Sequence, residues 1–259
     1  MKLIFIGSGS AFTVGSNNYH SNMLLQNAEG QNLLIDCGSD ARLALHELGL
    51  CHRDIHDVYI SHLHADHVGG LEWLAFTTKF DNGCTKPNLY INASLVDPLW
   101  DSVLAGGLSS LQAEIATLET YFNVHPIKDN ASFTWHNVEL HTLQTMHILA
   151  GYTIMPSYGL IFTANDLKIF ITTDTQFSPH QMEDFYALSD VIFHDCETAG
   201  NKSRVHAHYD ELLTLPLNIK KKMWLYHYNP GDLPDPVKDG FRGFVKKGQV
   251  FDFKDKSTY

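Results

Sequence analysis

The segment Ser61-His62-Leu63-His64-Ala65-Asp66-His67 concentrates metal-binding chemistry in a few residues. Neutral imidazole is the commonest protein ligand for metal ions, and carboxylate oxygen often joins it. His62 and His64 alternate along an extended backbone, so both rings point to one side. Asp66 and His67 follow at a turn, before Val68-Gly69-Gly70 starts a new element. A strand ending in such a turn can bring the four groups onto two neighbouring metal positions. Val58-Tyr59-Ile60, just upstream, reads as the short buried strand that carries them. The chain has 16 histidines in 259 residues, but not all of them point to chemistry. His46, His52, His56, His125, His136, His141 and His180 lie singly among polar or charged neighbours and read as surface or packing residues.

The elements around this segment repeat one grammar, strands followed by helices. Leu3–Ile6, Asn22–Gln26 and Asn32–Asp36 read as strands, and Asp40–Leu48 as a helix stopped by Gly49. Leu71–Phe76 and the stretch from Pro98 to Phe122 have helical spacing. Further strands are expected at Phe133–Trp135, Val138–Leu143, Gly159–Phe162, Lys168–Thr172, Val191–His194 and Met223–His227. Helices are expected at Pro179–Leu188 and Asp210–Leu215. No linker divides the chain, so 1–259 reads as one domain of two pseudo-repeated halves, roughly 1–130 and 131–259. That pattern implies an α/β fold of two packed sheets flanked by helices.

Composition narrows the class of partner. Acidic residues outnumber basic ones 29 to 18, for a formal net charge of -11. Such a field repels polyanions, which argues against long nucleic acids as substrates. Lys220-Lys221-Lys222 is the one basic run and reads as a solvated turn. The opening apolar run is too short for a secretory signal or a membrane span. Cys37, Cys51, Cys84 and Cys196 form no CxxC pair, which fits reduced thiols in a cytoplasm.

The HxHxDH pattern after a buried strand resembles the metallo-β-lactamase superfamily. Phe5-Ile6-Gly7-Ser8-Gly9-Ser10-Ala11-Phe12 and Leu33-Leu34-Ile35-Asp36-Cys37-Gly38 look like its ribonuclease Z branch. The resemblance implies a four-layer αββα sandwich holding two divalent metal ions, with zinc expected and manganese able to replace it. It puts His147 at the third metal histidine, Asp174 at the bridging carboxylate and His227 at the last ligand. One metal would then be held by His62, His64, His147 and Asp174, and the other by Asp66, His67, His227 and Asp174. Asp66 is expected to matter for turnover as well as binding. Asp36 would support the metal loop from behind. Asp174 ends an apolar strand, where an unpaired carboxylate would be costly and a cation explains it.

The same resemblance supplies a proton donor. Ile192-Phe193-His194-Asp195 matches the branch's His-Glu pair with Asp for Glu. Val205-His206-Ala207-His208 precedes a helix, as the branch's catalytic histidine does. His206 is the expected general acid and Asp195 the carboxylate that orients it, with His208 the alternative acid.

Ribonuclease Z enzymes clamp precursor tRNA with a long arm between the third histidine and the bridging aspartate. Here residues 148–173 alone lie between them and read as two strands and a turn. The closer likeness is to the anti-Pycsar family, in Asp36-Cys37-Gly38-Ser39-Asp40, Gly69–Phe76 and Val205-His206-Ala207-His208-Tyr209. It implies a cytoplasmic homodimer, in a host cell if the chain is phage-encoded, whose subunits help cover each other's sites. The implied activity is hydrolysis of 3′,5′-cyclic nucleotides to nucleoside 5′-monophosphates, countering bacterial antiviral signalling. Trp73, Phe76, Tyr158, Tyr209 and Asn229 are candidates for base contact. An RNA-processing nuclease, another hydrolase of this fold, and a protein that sequesters nucleotides without cleaving them are the alternatives.

Overall fold

The computed structural model describes residues 1–14, 17–255 and 258–259. Its strands are β1 (Lys2–Phe5), β2 (Met23–Gln26), β3 (Asn32–Ile35), β4 (Asp57–Ile60), β5 (Asn88–Asn92), β6 (Ser110–Leu111), β7 (Glu114–Ile115) and β8 (Asn123–Ile127). They continue as β9 (Ser132–Trp135), β10 (Val138–Ala150), β11 (Thr153–Ala164), β12 (Leu167–Ile171), β13 (Val191–Asp195), β14 (Met223–Tyr226), β15 (Gly243–Phe244) and β16 (Val250–Asp252). One 7-stranded sheet runs in the order β16-β1-β2-β3-β4-β5-β8, and the other in the order β15-β14-β13-β12-β11-β10-β9. Each sheet is mixed. Antiparallel pairs join β16, β1, β2 and β3, while β3, β4, β5 and β8 run parallel. The second sheet repeats this, with β12 to β15 parallel and β9 to β12 antiparallel.

The two sheets pack face to face. Phe5 on β1 meets Phe193 on β13 at 5.3 Å and Tyr226 on β14 at 5.4 Å between ring centroids. Tyr59 on β4 stacks on Phe133 on β9 at 5.6 Å. Leu33, Leu34 and Ile35 are fully buried in succession, as a strand covered on both faces requires. Helices Ala41–Glu47 and Leu71–Phe80 bury Ala44, Leu45, Leu71 and Leu74 in the core that includes the first sheet. Helix Pro179–Leu188 sends Met182 and Tyr186 into a smaller cluster with Phe170, Ile192 and Leu225 of the second sheet. The result is the expected αββα sandwich.

Several elements differ from the sequence reading. The expected helical stretch from Pro98 ends at Leu108, after turns Leu99–Leu104 and Ala105–Leu108. Gly106 and Gly107 weaken the helix there, and the chain then turns through the β6–β7 hairpin and one helical turn, Leu118–Tyr121. β10 and β11 run far past the short strands expected and form one long hairpin, paired from Leu140↔Phe162 to Ala150↔Thr153. β16 returns from the end of the chain to pair with β1 in the first sheet. Among the described residues no helix is long and apolar enough to cross a membrane.

Candidate active site

The site lies where strand ends from both sheets converge. β4 ends at Ile60 and delivers Ser61 to His64; a single helical turn, Ala65–Val68, then presents Asp66 and His67. In the second sheet, Asp174 follows β12, Asp195 ends β13 and His227 follows β14. These strands are parallel neighbours, so their carboxyl ends present the three side chains side by side.

Local backbone distortion aims several of these groups. His147 sits at a register shift in β10, where Met146 pairs with Pro156 and Ile148 with Met155. The extra residue of such a bulge is free of the ladder, which redirects its side chain. Asp36, Thr173 and His227 adopt left-handed backbone at φ 62, 54 and 64. This conformation costs a non-glycine residue about 1–3 kcal/mol, and such strain clusters at functional sites. Gly38 lies against the 65–68 turn so closely that a Cβ there would meet the Asp66 carbonyl oxygen at 2.0 Å.

Two groups that could each hold a metal ion share Asp174. His62, His64, His147 and Asp174 form one, and Asp66, His67, His227 and Asp174 the other. Asp174 Oδ2 lies 3.7 Å from His62 Nε2, 3.8 Å from His147 Nε2, 3.3 Å from His67 Nε2 and 3.4 Å from His227 Nε2. His64 Nδ1 is 3.0 Å from His62 Nε2 and 3.1 Å from His147 Nε2. Asp66 Oδ2 is 3.2 Å from His67 Nε2 and 3.4 Å from His227 Nε2. Ligand atoms around a tetrahedral zinc with bonds of about 2.0–2.1 Å are roughly 3.3 Å apart, so the spacing fits.

The hydrogen bonds behind the rings fix which atoms face inward. The Val205 carbonyl can only accept, so His147 Nδ1–H donates to it at 2.8 Å. His67 Nδ1–H donates to Asp36 Oδ2 at 2.7 Å. Ser61 Oγ–H also donates to Asp36 Oδ2, at 2.7 Å, leaving its oxygen to accept from His62 Nδ1–H at 3.0 Å. The Nε2 atoms of all three rings therefore point at the Asp174 carboxylate, which is 1% exposed and, among the described residues, has no hydrogen-bond partner on either oxygen. The lone pairs of the neutral His62 and His147 rings repel the buried carboxylate, and a cation between them removes the conflict. The residues fit a dimetal site.

Electrostatics agree with that fit. Burial holds the His62 imidazole well below its usual range and His147 down to about 4, which keeps both neutral and able to ligate. Burial also pushes on His67 and His227, but Asp174 and the neighbouring carboxylates outweigh it and hold both well above the usual range. Burial likewise opposes ionisation of Asp174, yet His227 and His67 hold it well below the ordinary carboxylate range. Protons on these two rings would have to leave for a metal to bind. Asp36 anchors His67, Ser61 and, through Ser61, His62. Asp36→Asn is therefore expected to weaken metal affinity about 10–100-fold, read by competition against a chromophoric chelator. Unchanged affinity would reduce Asp36 to a packing residue.

His206 and Asp195 stand beside the second group. His206 Nδ1 lies 2.8 Å from Asp195 Oδ2 and 3.8 Å from Asp174 Oδ2. Asp195 Oδ2 also accepts from the Thr175 N–H at 2.9 Å, and its Oδ1 faces His227 Nδ1 at 3.4 Å. Burial pushes His206 down, but the charge of Asp195 prevails and raises it. His208 is held elsewhere. It caps helix Tyr209–Leu212, accepting from the Asp210 N–H, and its Nε2 donates to the Ala199 carbonyl at 2.9 Å. His194 is buried between the Tyr186 hydroxyl and the Asp195 carbonyl.

A cavity of ≈ 370 Å³ opens over these groups, and Asn229 is the only proposed base-contact residue that lines it. Trp73 and Phe76 line a separate cavity, and Tyr158 and Tyr209 are buried in the two cores. Sequence reasoning missed Ser10, Phe12, Glu197 and Ser203, which form much of the wall. Phe12 is 80% exposed at the mouth, where an aromatic ring has no structural need to be. Its exposure marks it, yet exposure is invisible in the sequence. His52, read as ordinary, joins Asp81 and Cys84 in a partly exposed group, but Arg53 already holds both Asp81 oxygens.

Comparison with known proteins agrees with this architecture. A metallo-β-lactamase fold protein, YhfI from Bacillus subtilis, superimposes with a TM-score of 0.73 at 20% identity, covering 96% of this chain and 98% of that one. A curated relative from Paenibacillus harenae, named anti-Pycsar protein Apyc1, is 40% identical over 240 residues, covering 91% of this chain and 92% of its own. One of the same name from Bacillus phage vB_BsuM-Goe3 is 33% identical, covering 96% of each. The family profile described as anti-Pycsar protein Apyc1 matches residues 1–251. The chain belongs to the anti-Pycsar protein Apyc1 family.

Proposed function

We propose that the chain is a two-metal phosphodiesterase that opens 3′,5′-cyclic nucleotides, including cyclic CMP, cyclic UMP, cyclic AMP and cyclic GMP, to nucleoside 5′-monophosphates. The observation that carries this is the closeness of the dimetal ligand set and the His206–Asp195 pair within one small cavity. Its volume is in the range of small-molecule sites. The tight turn between β10 and β11, at residues 151 and 152, leaves no tRNA-clamping arm there.

His62, His64 and His147 would hold one ion and Asp66, His67 and His227 the other, with Asp174 between them. Zinc suits this set of imidazoles and carboxylates without thiolate, and manganese can replace it. When bound, such a pair lowers the pKa of water and neutralises charge growing on phosphoryl oxygens. The chain supplies the rest. His206 Nδ1–H is held by Asp195, which leaves Nε2 toward the cavity to give its proton to the departing O3′. Water oxygen bonds to phosphorus as the P–O3′ bond breaks. The attacking water gives up one proton to solvent, O3′ takes the His206 proton and leaves as the neutral 3′-hydroxyl, and His206 regains a proton from solvent. Asp195 positions His206 and His227 together, coupling the proton donor to the ligand set.

We read this activity as acting against cyclic-nucleotide antiviral signalling in a cytoplasm, a reading that the anti-Pycsar names of the relatives support. Incubating metal-loaded protein with cyclic CMP, cyclic AMP and a precursor tRNA separates the readings. Monophosphate from the cyclic nucleotides and intact tRNA are expected; trimmed tRNA with intact cyclic CMP would reject the proposal. We also propose a homodimer, supported by the exposed Leu149, Tyr152 and Ile154 of the β10–β11 hairpin. Sedimentation equilibrium should give twice the chain mass, and a monomer would remove this part.

A further inference from the structure

Glu197 is a buried acid that the chemistry above leaves unused. It lies two residues beyond Asp195 on the extension of β13, where a parallel bridge ties it to His208. Its N–H donates to the Ala207 carbonyl at 2.8 Å, and its own carbonyl accepts from Tyr209 N–H at 2.9 Å. The segment carrying His206 is thus strapped along Glu197. Residues i and i+2 of an extended chain face the same side, so Glu197 projects as Asp195 does, one pleat of about 7 Å further along. It is 6% exposed and lines the cavity. Among the described residues, the Ser203 N–H is the one donor to its carboxylate, at 2.9 and 3.1 Å. A carboxylate can accept about four hydrogen bonds, so capacity remains on the cavity side.

A ribose ring supplies a matching donor. The leaving O3′ must lie at His206, and the 2′-hydroxyl is on the adjacent carbon. We propose that Glu197 accepts a hydrogen bond from the substrate's 2′-hydroxyl and makes the enzyme selective for ribonucleotides over 2′-deoxyribonucleotides. This rests on the cyclic-nucleotide reading. Cytosine N4 or adenine N6 would also suit a carboxylate, but the base leaves the ribose from C1′, further from O3′ than the 2′-hydroxyl is.

The test compares kcat/KM for 3′,5′-cyclic AMP and its 2′-deoxy analogue on wild type, Glu197→Ala and Glu197→Gln. Wild type should prefer the ribonucleotide by about 10- to 100-fold, the scale of one charge-assisted hydrogen bond. Glu197→Ala should bring the ratio close to the intrinsic difference between the two esters in metal-catalysed hydrolysis. Glu197→Gln, which keeps an acceptor for Ser203 and for the sugar, should be intermediate. Both substrates are assayed on one preparation, so poor folding lowers both rates and leaves the ratio unchanged. Equal rates on wild type, or full preference in Glu197→Ala, overturn the assignment and leave the phosphodiesterase reading standing. So does a changed cytosine-to-uracil ratio with the ribose preference kept. Failure of wild type to cleave any cyclic nucleotide overturns the reading beneath it, and the assignment with it.

Discussion

Asp174→Ala should abolish turnover and strip the chain of bound metal. Its carboxylate is the one group shared by both proposed ligand sets, and five imidazole nitrogens, that of His206 included, converge on its Oδ2 within 3.8 Å. The loss should be at least ~10³-fold, above the ~10²–10³-fold typical of removing one oxyanion donor. Stability should fall as well. In metal-free protein His227 and His67 hold the carboxylate ionised against its burial, so its removal leaves both rings without this charge partner. The metal-free variant should melt below metal-free wild type. Wild type should gain several degrees on adding zinc, since a ligand at about 100 times its Kd contributes ~2.7 kcal/mol and ~1 kcal/mol moves Tm by about 2–4 °C at this size. The variant should gain little. Scanning calorimetry with and without zinc reads both effects. Full activity, or an undiminished zinc shift, would remove Asp174 from the site.

His206→Ala carries the second large effect, and it should depend on the leaving group. A sugar alkoxide needs a proton as the P–O bond breaks, so turnover of cyclic nucleotides should fall by about 10²–10⁴-fold. A nitrophenolate leaves without one, so bis-p-nitrophenyl phosphate should be cleaved nearly as well as by wild type. Asp195→Asn should show the same divergence, with weaker metal binding added because its Oδ1 faces His227. His208→Ala should instead lower stability through the lost helix cap and treat both leaving groups alike. Equal losses on both substrates in His206→Ala would mean that His206 only supports the ligand shell.

What could be read in the sequence was what is local. Ser61 to His67 are contiguous, so alternation and one turn suffice to place four ligating groups. The fully buried run of β3 and the alternation along β10 reveal strands for the same reason. Of the three distant residues proposed as ligands, His147 and His227 had no local signal and resemblance supplied them, while Asp174 was marked only by its place at the end of an apolar strand. His147 reaches the site through a bulge, and bulges are set by the register of two strands. Thr173 takes left-handed backbone that a β-branched residue avoids, and His227 takes it as well, because the assembled site holds them there. The cavity wall joins residues 10–12 to 197–206 and 227–229, a meeting created by sheet packing. Trp73 and Phe76 looked suitable by type but lie over another cavity, since helix Leu71–Phe80 packs away from the site opening.

The central claim is hydrolysis of a cyclic phosphodiester with attack at phosphorus and expulsion of O3′. The most direct measurement is turnover of cyclic CMP by metal-loaded protein in ¹⁸O-labelled water, with the products resolved by chromatography and mass spectrometry. The account predicts cytidine 5′-monophosphate carrying one ¹⁸O on phosphorus. Cytidine 3′-monophosphate, a product without the label, or intact cyclic CMP would contradict it.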